Sequence, residues 1–126
     1  MAIKIVDIIV ERRGKILLTK KGDFWILPSG ESMPDEDEMQ CLEKIVAMEI
    51  NDRVSTIFRK LGKSVTGLSP VRGEEVEVST YIGEISSTNM SEVRDCNAYW
   101  FSRGSLPSIR LSNITREVLN AYFAEV

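Results

Sequence analysis

FWILPSGESMPDEDEMQCLEKIVAMEIN, residues 24–51, is the stretch that decides the fold of this chain. It predicts a short strand over 24–27, a tight loop around Pro28, Ser29 and Gly30, an acidic linker, and then one amphipathic helix. A strand that runs through a glycine turn into a helix brings backbone N–H groups, a helix N-terminus and several carboxylates close together. That arrangement suits a phosphate group or a metal ion bound to a phosphate.

The internal helix is predicted over about 37–50. Asp37, followed three residues later by Gln40, fits a capping box and places the start of the helix near Asp37. Asn51 tolerates the left-handed conformation and suits the C-terminal cap. The apolar residues of this segment recur at helical spacing over an unusually wide arc, at Cys41, Leu42, Ile45, Val46, Met48 and Ile50.

The composition lies within the range of soluble globular proteins. The chain has 126 residues, which is enough for one hydrophobic core, and we expect a single domain over 1–126. Its net charge is −3, so a nucleic-acid partner is not expected, because salt-driven binding needs clustered Lys and Arg. No apolar run approaches the roughly 20 residues of a membrane span. Lys4 and Asp7 interrupt the N-terminal apolar run, so no signal peptide is predicted, and we expect a cytoplasmic protein without a membrane partner.

The chain contains no histidine and two cysteines, Cys41 and Cys96. The lack of histidine excludes His-based nucleophilic triads, His metal sites and zinc fingers. Two cysteines cannot form a disulfide framework, and Cys41 falls within the predicted helix. We therefore expect free thiols, buried or half-buried, in a reducing compartment.

The other segments alternate between strand and turn signals. An Ile- and Val-rich strand over 3–10, a turn at Gly14 and a returning strand over 16–18 predict a hairpin. Further predicted elements are a strand over 54–60 with both faces partly covered, a loop over 62–73 with a short strand at 63–66, a strand over 76–82, a polar loop over 86–95, a strand over 98–102 and a helix over about 112–124. Strands in hairpins with one internal and one C-terminal helix predict an α+β domain with a mixed sheet.

Gly30, Glu36, Lys44 and Glu49, preceded by Trp25-Ile26-Leu27-Pro28-Ser29, form the pattern that carries a family resemblance. It resembles the box of the MutT-like Nudix hydrolases, Gly-x5-Glu-x7-Arg-Glu-U-x-Glu-Glu-x-Gly-U with U aliphatic, usually preceded by Trp-x-Leu-Pro-Gly. Gly30 and Glu36 match Gly-x5-Glu, Lys44 stands in place of the arginine, and Glu49 matches the third glutamate. With the flanking strands and the C-terminal stretch, the resemblance covers about residues 3–123.

The box is degenerate at further positions of its helix. Ile45 and Met48 stand where the family has its first and second glutamates, and Asn51 replaces the glycine. Glutamates at i, i+3 and i+4 would place three carboxylates on one helix face, where a hard divalent cation finds several oxygen ligands. Isoleucine and methionine can neither ligate Mg²⁺ nor act as a general base. One carboxylate of three remains, so we expect activity to be weak or lost.

The resemblance implies a Nudix-type α/β/α sandwich with a mixed central sheet. In an active member it implies hydrolysis of a nucleoside diphosphate linked to another group. It also implies Mg²⁺ or Mn²⁺ held by Gly30 and Glu49, with Glu49 as the catalytic residue. If activity is lost, no cofactor is expected.

Further site residues are expected from the same resemblance. Lys20 and Lys21 would contact a phosphate, or else form a solvated turn. Ile45 and Met48 would form an apolar floor for a base, or else extend the buried stripe of the helix. The predicted loop contact is an ion pair between Glu36 and Lys44, which together with Gly30 would keep the loop folded on the helix. Two further alternatives concern acids: replacement metal ligands among Glu31, Asp35, Glu36, Asp37 and Glu38, and a catalytic base at Glu92.

Three functions therefore stay open. The chain is a Nudix-type hydrolase with a weakened site, or a catalytically silent Nudix-fold module that binds a nucleotide-type small molecule or a protein. The third alternative is an interaction domain, for example a homodimer, that uses the wide apolar arc of the helix as its interface. The fold alone cannot decide between them, because function depends on the site.

Overall fold

The computed structural model describes residues 2–87 and 98–125. Within those ranges the chain forms nine strands, two α-helices and one 3₁₀ helix. The strands are β1 Ile3–Ile9, β2 Glu11–Arg12, β3 Lys15–Lys21, β4 Phe24–Ile26, β5 Ser29–Glu31, β6 Val54–Lys60, β7 Val65–Ser69, β8 Glu74–Ile85 and β9 Ala98–Ser102. The helices are α1 Glu38–Ile50, the 3₁₀ helix Arg103–Ser108 and α2 Asn113–Ala124.

The strands form two sheets. In the larger, mixed sheet the order is β5-β1-β8-β6, and β7 also pairs with β8. β1 runs parallel to β8, with Asp7 beside Thr80, and antiparallel to β5, with Val6 beside Gly30. β3 is the centre of the second sheet, in which it pairs antiparallel with β2, β4 and β9. The register of β1 thus fixes the position of β5, where the glycine of the box lies.

β1 separates two hydrophobic cores, because successive side chains of a strand point to opposite faces. Ile5 and Ile9 belong to the core that includes the buried face of α2. Val6 and Ile8 belong to the core that includes the buried face of α1. The mixed sheet therefore lies between the two helices, which confirms the predicted α/β/α sandwich.

Both predicted helices are confirmed, and so are the two caps predicted for the internal helix. The Asp37 carboxylate accepts a hydrogen bond from the Gln40 backbone N–H at 2.9 Å and starts α1. Asn51 ends α1 in the left-handed conformation, with φ 50° and ψ 50°. At α2 the Ser112 hydroxyl accepts a bond from the Thr115 backbone N–H at 3.1 Å.

The predicted first hairpin is wrong in its first strand. Among the described residues, β1 pairs with β5 and β8, whereas β2 is the partner of β3. Arg13 and Gly14 turn the chain between β2 and β3 with φ values of 51° and 74°, the two left-handed residues of a tight hairpin turn. The long apolar run of β1 is instead buried in the larger sheet, where both of its edges are paired.

Three other segments differ from the prediction. Ser29–Glu31 form strand β5 where a tight loop was expected, since their backbone groups pair with β1. β6 is a sheet edge with little cover, and Phe58 on it is 65% exposed. β7 runs over Val65–Ser69 and so lies later than the strand predicted at 63–66. Most of the polar loop predicted over 86–95 lies outside the described residues.

Cys41 is a free, buried thiol, as predicted, and burial raises its pKa. Cys96 lies outside the described residues. In the described part of the chain, no helix combines the length and the apolarity that crossing a membrane requires.

Candidate functional site

A cleft of about 310 Å³ opens where β5 and the acidic linker meet one face of α1. Its walls combine apolar, sulfur-containing and charged side chains with the backbone of β5. The lining residues are Ser29, Gly30, Glu31, Met33, Cys41, Lys44, Ile45, Met48 and Glu49. The structure therefore gathers Gly30, Lys44, Ile45, Met48 and Glu49 of the predicted site residues around one cleft.

Gly30 allows β5 to lie directly against α1. A Cβ atom at this position would be 2.8 Å from Cγ1 and 3.3 Å from Cδ1 of Ile45, closer than carbon atoms pack. Ile45 is only 5% exposed and belongs to the core on the α1 side of the sheet. The Ile45 side chain therefore extends the buried stripe of the helix, which was the plainer of the two alternatives predicted for it.

Met48, unlike Ile45, is not buried in the core. Its side chain lines the cleft but is 78% exposed, so the alternative in which it extends the buried stripe is wrong. Met33, from the linker, lies on the same cleft and is 47% exposed. The rim of the cleft is therefore apolar and rich in flexible thioether side chains, which adapt to different ligand shapes.

The linker is held on α1 by an ion pair. Nζ of Lys44 lies 2.6 Å from Oε2 of Glu36, so the predicted pair is confirmed. The hydrogen bond from Lys44 lowers the pKa of Glu36, and the same bond raises the pKa of Lys44. The Glu36 backbone N–H also donates to the Met33 carbonyl at 3.1 Å. The two contacts together fix the linker over the first turns of the helix.

Glu49 is bonded to a lysine from the sheet. Nζ of Lys21, at the end of β3, donates to Oε2 of Glu49 at 2.8 Å, and both side chains are partly buried. This contact connects the second sheet to the last turns of α1. The one carboxylate that remains of the three helix glutamates of the box is therefore paired with a cation of the chain itself.

Lys20 lies away from the cleft. Neighbouring residues of a strand point to opposite faces, so Lys20 and Lys21 cannot both face α1. Nζ of Lys20 lies 5.8 Å from the ring centroid of Trp25, on a separate surface that also includes Tyr99 and Phe101. Of the two lysines predicted to contact a phosphate, Lys21 bonds a residue of the cleft, Glu49, and neither lysine lines the cleft itself.

No protein-family model matches this sequence, and no curated protein matches it. Solved structures do match. A MutT Nudix hydrolase from Burkholderia pseudomallei has a TM-score of 0.78 at 21% identity, over 96% of this chain and 98% of that one. The C-terminal domain of mouse MUTYH, solved in complex with human PCNA, has a TM-score of 0.74 at 14% identity, over 99% and 90% of the two chains. A bifunctional NMN adenylyltransferase/ADP ribose pyrophosphatase from Francisella tularensis, solved with AMP and a manganese ion, has a TM-score of 0.69 at 20% identity, over 99% and 42%.

This chain has the Nudix fold. The Nudix resemblance implies a divalent cation, so the donor atoms around the cleft decide whether one fits. In the ranges 2–87 and 98–125, no group of three or more acidic, cysteine or histidine side chains is placed to hold a metal ion. Glu49 is bonded to Lys21, and the other carboxylate of the cleft, Glu31, lies 3.6 Å from Arg72. A hard cation needs several free oxygen ligands, and this set does not fit Mg²⁺ or Mn²⁺.

Of the other acids predicted as replacement ligands, Asp35 does not line the cleft, and the remaining three are engaged elsewhere. Asp37 caps α1, and Glu36 forms the ion pair with the helix described above. Glu38 accepts a hydrogen bond from Lys60 of β6 at 3.1 Å. Glu31 is thus the linker carboxylate that lines the cleft. Glu92, predicted as an alternative catalytic base, lies outside the described residues.

A buried acid on the opposite face of the Nudix sheet was missed by the sequence-based prediction. Asp7 of β1 is 4% exposed, and its Oδ1 has no hydrogen-bond partner. Burial raises the pKa of Asp7 to about 7, and the neighbouring Thr80 side chain offsets only part of that rise. The signal was present in the sequence, since Asp7 is a lone carboxylate inside the apolar run IKIVDII. Such a residue in a buried strand is a candidate functional group.

Proposed function

We propose that this chain is a Nudix-fold module that binds a nucleotide-type small molecule without a catalytic divalent cation and without hydrolysing it. The observation that carries the proposal is the 2.8 Å ion pair between Lys21 and Glu49. A metal ion would have to displace the lysine before it could reach the carboxylate. With Ile45 and Met48 at the neighbouring positions, no second helix carboxylate would offset that loss.

The shape and charge of the cleft support a nucleotide-type ligand. The apolar thioethers of Met33 and Met48 offer a surface for a flat ring, and Lys44, which is paired with Glu36, lines the same cleft. The neighbour from Francisella tularensis, of which 42% matches this chain, is a bifunctional protein that was solved with AMP. Recognition would then depend on contacts with the chain and not on a bridging metal ion.

A second candidate is residual hydrolysis with Mg²⁺ or Mn²⁺. It is favoured by one observation, since two carboxylates, Glu31 and Glu49, line the same cleft. Each is held by a cation, Arg72 for Glu31 and Lys21 for Glu49. A metal-bound ligand would have to break both pairs, so this candidate predicts a strict dependence on high metal concentration.

A third candidate is binding of a protein partner. The exposed methionines of the cleft suit an adaptable interface, and the MUTYH domain of the same fold was solved bound to another protein. The wide apolar arc of α1 is not available for this purpose, because most of it faces the core of the chain itself. A homodimer, which light scattering would reveal, would therefore need another surface.

Calorimetry with ADP-ribose, a dinucleoside polyphosphate and a deoxynucleoside triphosphate tests the proposal. We expect at least one of them to bind equally well in Mg²⁺ and in a chelator, and no turnover above that of Glu49→Gln. Glu43→Gln, an exposed acid on α1 outside the cleft lining, is the matched control. Turnover that needs Mg²⁺ and is lost in Glu49→Gln, but not in Glu43→Gln, would overturn the proposal in favour of a hydrolase. If none of the three binds, the protein-partner candidate replaces it.

A further inference from the structure

The methionines in the described part of the chain lie outside both hydrophobic cores. Met33, Met39 and Met48 are 47%, 41% and 78% exposed, although methionine is among the residue types that are most often buried. All three belong to the acidic linker or to α1. The sequence has two more methionines, Met1 and Met90, which lie outside the described residues. The described thioethers are therefore concentrated in one exposed part of the molecule.

Two of these three methionines line the cleft. Met33 is held there from the linker, because the Glu36 backbone N–H donates to the Met33 carbonyl at 3.1 Å and Glu36 is paired with Lys44 of α1. Met48 reaches the cleft from the helix itself. Met39 is nearly as exposed as Met33, but it does not line the cleft. The chain thus contains its own matched control for the two thioethers of the cleft.

An exposed thioether is a site of oxidation. A hydroperoxide transfers its outer oxygen atom to Sδ: the O–O bond breaks, an S=O bond forms, the sulfur loses two electrons, and the proton of the transferred group leaves with the other oxygen as an alcohol or water. The product, methionine sulfoxide, is a polar side chain in place of an apolar one. A flat ring that covers it has to desolvate the S=O group, which costs free energy that a thioether does not cost.

The thiol that also lines the cleft is protected from the same reagent. Cys41 is 1% exposed, and its Sγ donates to the Glu31 carbonyl at 3.6 Å. Burial also raises the pKa of Cys41, so the thiolate, which is the reactive form, is scarce. Of the sulfur atoms that line the cleft, the accessible ones are therefore those of Met33 and Met48.

We propose that Met33 and Met48 form a modification site, and that their oxidation to sulfoxides by a hydroperoxide releases the ligand from the cleft. This inference rests on the proposed nucleotide binding and adds its regulation. A sulfoxide reductase that uses two thiols reverses the modification, with a disulfide and water as the other products, so the cleft regains its ligand. The cleft thus responds to oxidants through its apolar rim and not through a metal ion or a disulfide.

Calorimetry in a chelator before and after treatment with hydrogen peroxide tests the inference. The probes are ADP-ribose, a dinucleoside polyphosphate and a deoxynucleoside triphosphate, and peptide mass spectrometry follows the gain of one oxygen atom at each methionine. We expect oxidation of Met33 and Met48 to weaken binding of the preferred probe about tenfold or more. Treatment with methionine sulfoxide reductases for both sulfoxide epimers and a thiol should restore the affinity.

Variants at the methionines assign the effect to the cleft. Met33→Leu combined with Met48→Leu removes both oxidisable sulfur atoms, so its affinity, whatever the starting value, should change by less than about twofold on treatment. Met39→Leu keeps both sulfur atoms of the cleft and should lose affinity as the wild type does. Met48→Gln, which is polar like the sulfoxide, should bind more weakly than the wild type without any oxidant. The three positions are exposed, so we expect the variants to fold, and urea denaturation checks this.

The outcomes distinguish this inference from the proposed function. Oxidation of both cleft methionines without loss of affinity, or an equal loss in the double leucine variant, overturns the inference and leaves the proposed function standing. Uptake of oxygen at Met39 but at neither Met33 nor Met48 overturns it as well. Mg²⁺-dependent turnover that oxidation abolishes in the wild type but not in the double leucine variant overturns the proposed function and supports the inference. Absence of binding and of turnover for every probe overturns both.

Discussion

Nζ of Lys21 lies 2.8 Å from Oε2 of Glu49, so the end of β3, in the second sheet, contacts the last turns of α1. The pair joins the second sheet to Glu49, the one residue that matches the three helix glutamates of the box. The neighbouring positions, Ile45 and Met48, contribute packing and an apolar rim. The box thus retains its place in the scaffold, and the proposed function assigns it no metal chemistry.

Restoring the missing carboxylates should restore metal binding. We expect Ile45→Glu combined with Met48→Glu to bind Mn²⁺ about tenfold or more tightly than the wild type, since three carboxylates would then share one helix face. The same variant should lose roughly 2–4 kcal/mol of unfolding free energy, because Ile45 is buried under β5. Titration of free Mn²⁺ by electron paramagnetic resonance and urea denaturation measure the two effects. Ile45→Gln with Met48→Gln is the neutral control, and equal Mn²⁺ affinity in the two folded variants would contradict the assigned helix face.

The ion pair between Glu36 and Lys44 should stabilise the fold only at pH values at which Glu36 is ionised. Because Lys44 lowers the pKa of Glu36, the pair stabilises the fold above the ordinary glutamate range and loses its effect as the pH falls through the lowered pKa. We therefore expect Lys44→Met to lower the melting temperature at pH 7 and to have a much smaller effect at pH 3. Thermal denaturation at both pH values checks this. A decrease of the same size at both would assign the role of Lys44 to its packing.

Asp7 should make the fold less stable as the pH rises. The ordinary pKa of an aspartate carboxyl in water is 3.8, and the pKa of Asp7 in the fold is about 7, so the folded chain holds more protons than the unfolded chain between those values. The free energy of unfolding should then fall across that range, by roughly 4 kcal/mol if the pKa in the fold is close to 7. Asp7→Asn removes this titration and should be more stable than the wild type at pH 8, with a smaller difference at pH 4. Urea denaturation at several pH values measures the difference, and a constant difference would refute the assignment.

The contact between Gly30 and Ile45 predicts a steric effect. Gly30→Ala would place a Cβ atom 2.8 Å from Cγ1 of Ile45, and we expect it to cost about 1–3 kcal/mol of unfolding free energy. Gly104→Ala is the matched control, because a Cβ there meets no atom within 4 Å, and it should be nearly neutral. Combining Gly30→Ala with Ile45→Ala should cost less than the sum of the two single changes. Additive costs in urea denaturation would show that the two residues are not coupled.

The helices could be predicted from local sequence signals. The strand partners could not, because they depend on pairing between residues far apart in the sequence. The caps at Asp37 and Asn51 depend on a few neighbouring residues, so the bounds of α1 could be predicted from the sequence. The partner of β1 could not, because its apolar run fits a hairpin as well as the centre of a sheet, and the choice depends on β8, about 70 residues away.

The contacts of the candidate site divide in the same way into local ones that the sequence predicts and long-range ones that it does not. The pair of Glu36 and Lys44 follows from the spacing of the box, and it was predicted. The bond between Lys21 and Glu49 joins a strand to a helix 28 residues later, and no sequence pattern specifies it. A small cavity lined by Asp7, Ser112 and Thr115 (the Asp7 cavity) was missed for a similar reason, since it forms only where α2 returns over the sheet.

The position of β5 affects how this protein can be redesigned. It is three residues long, lies at the edge of the larger sheet and is the thin wall between the cleft and the Asp7 cavity. A substitution that moves this wall by a fraction of an ångström enlarges one compartment at the expense of the other. The cleft and the cavity therefore have to be engineered as a single unit.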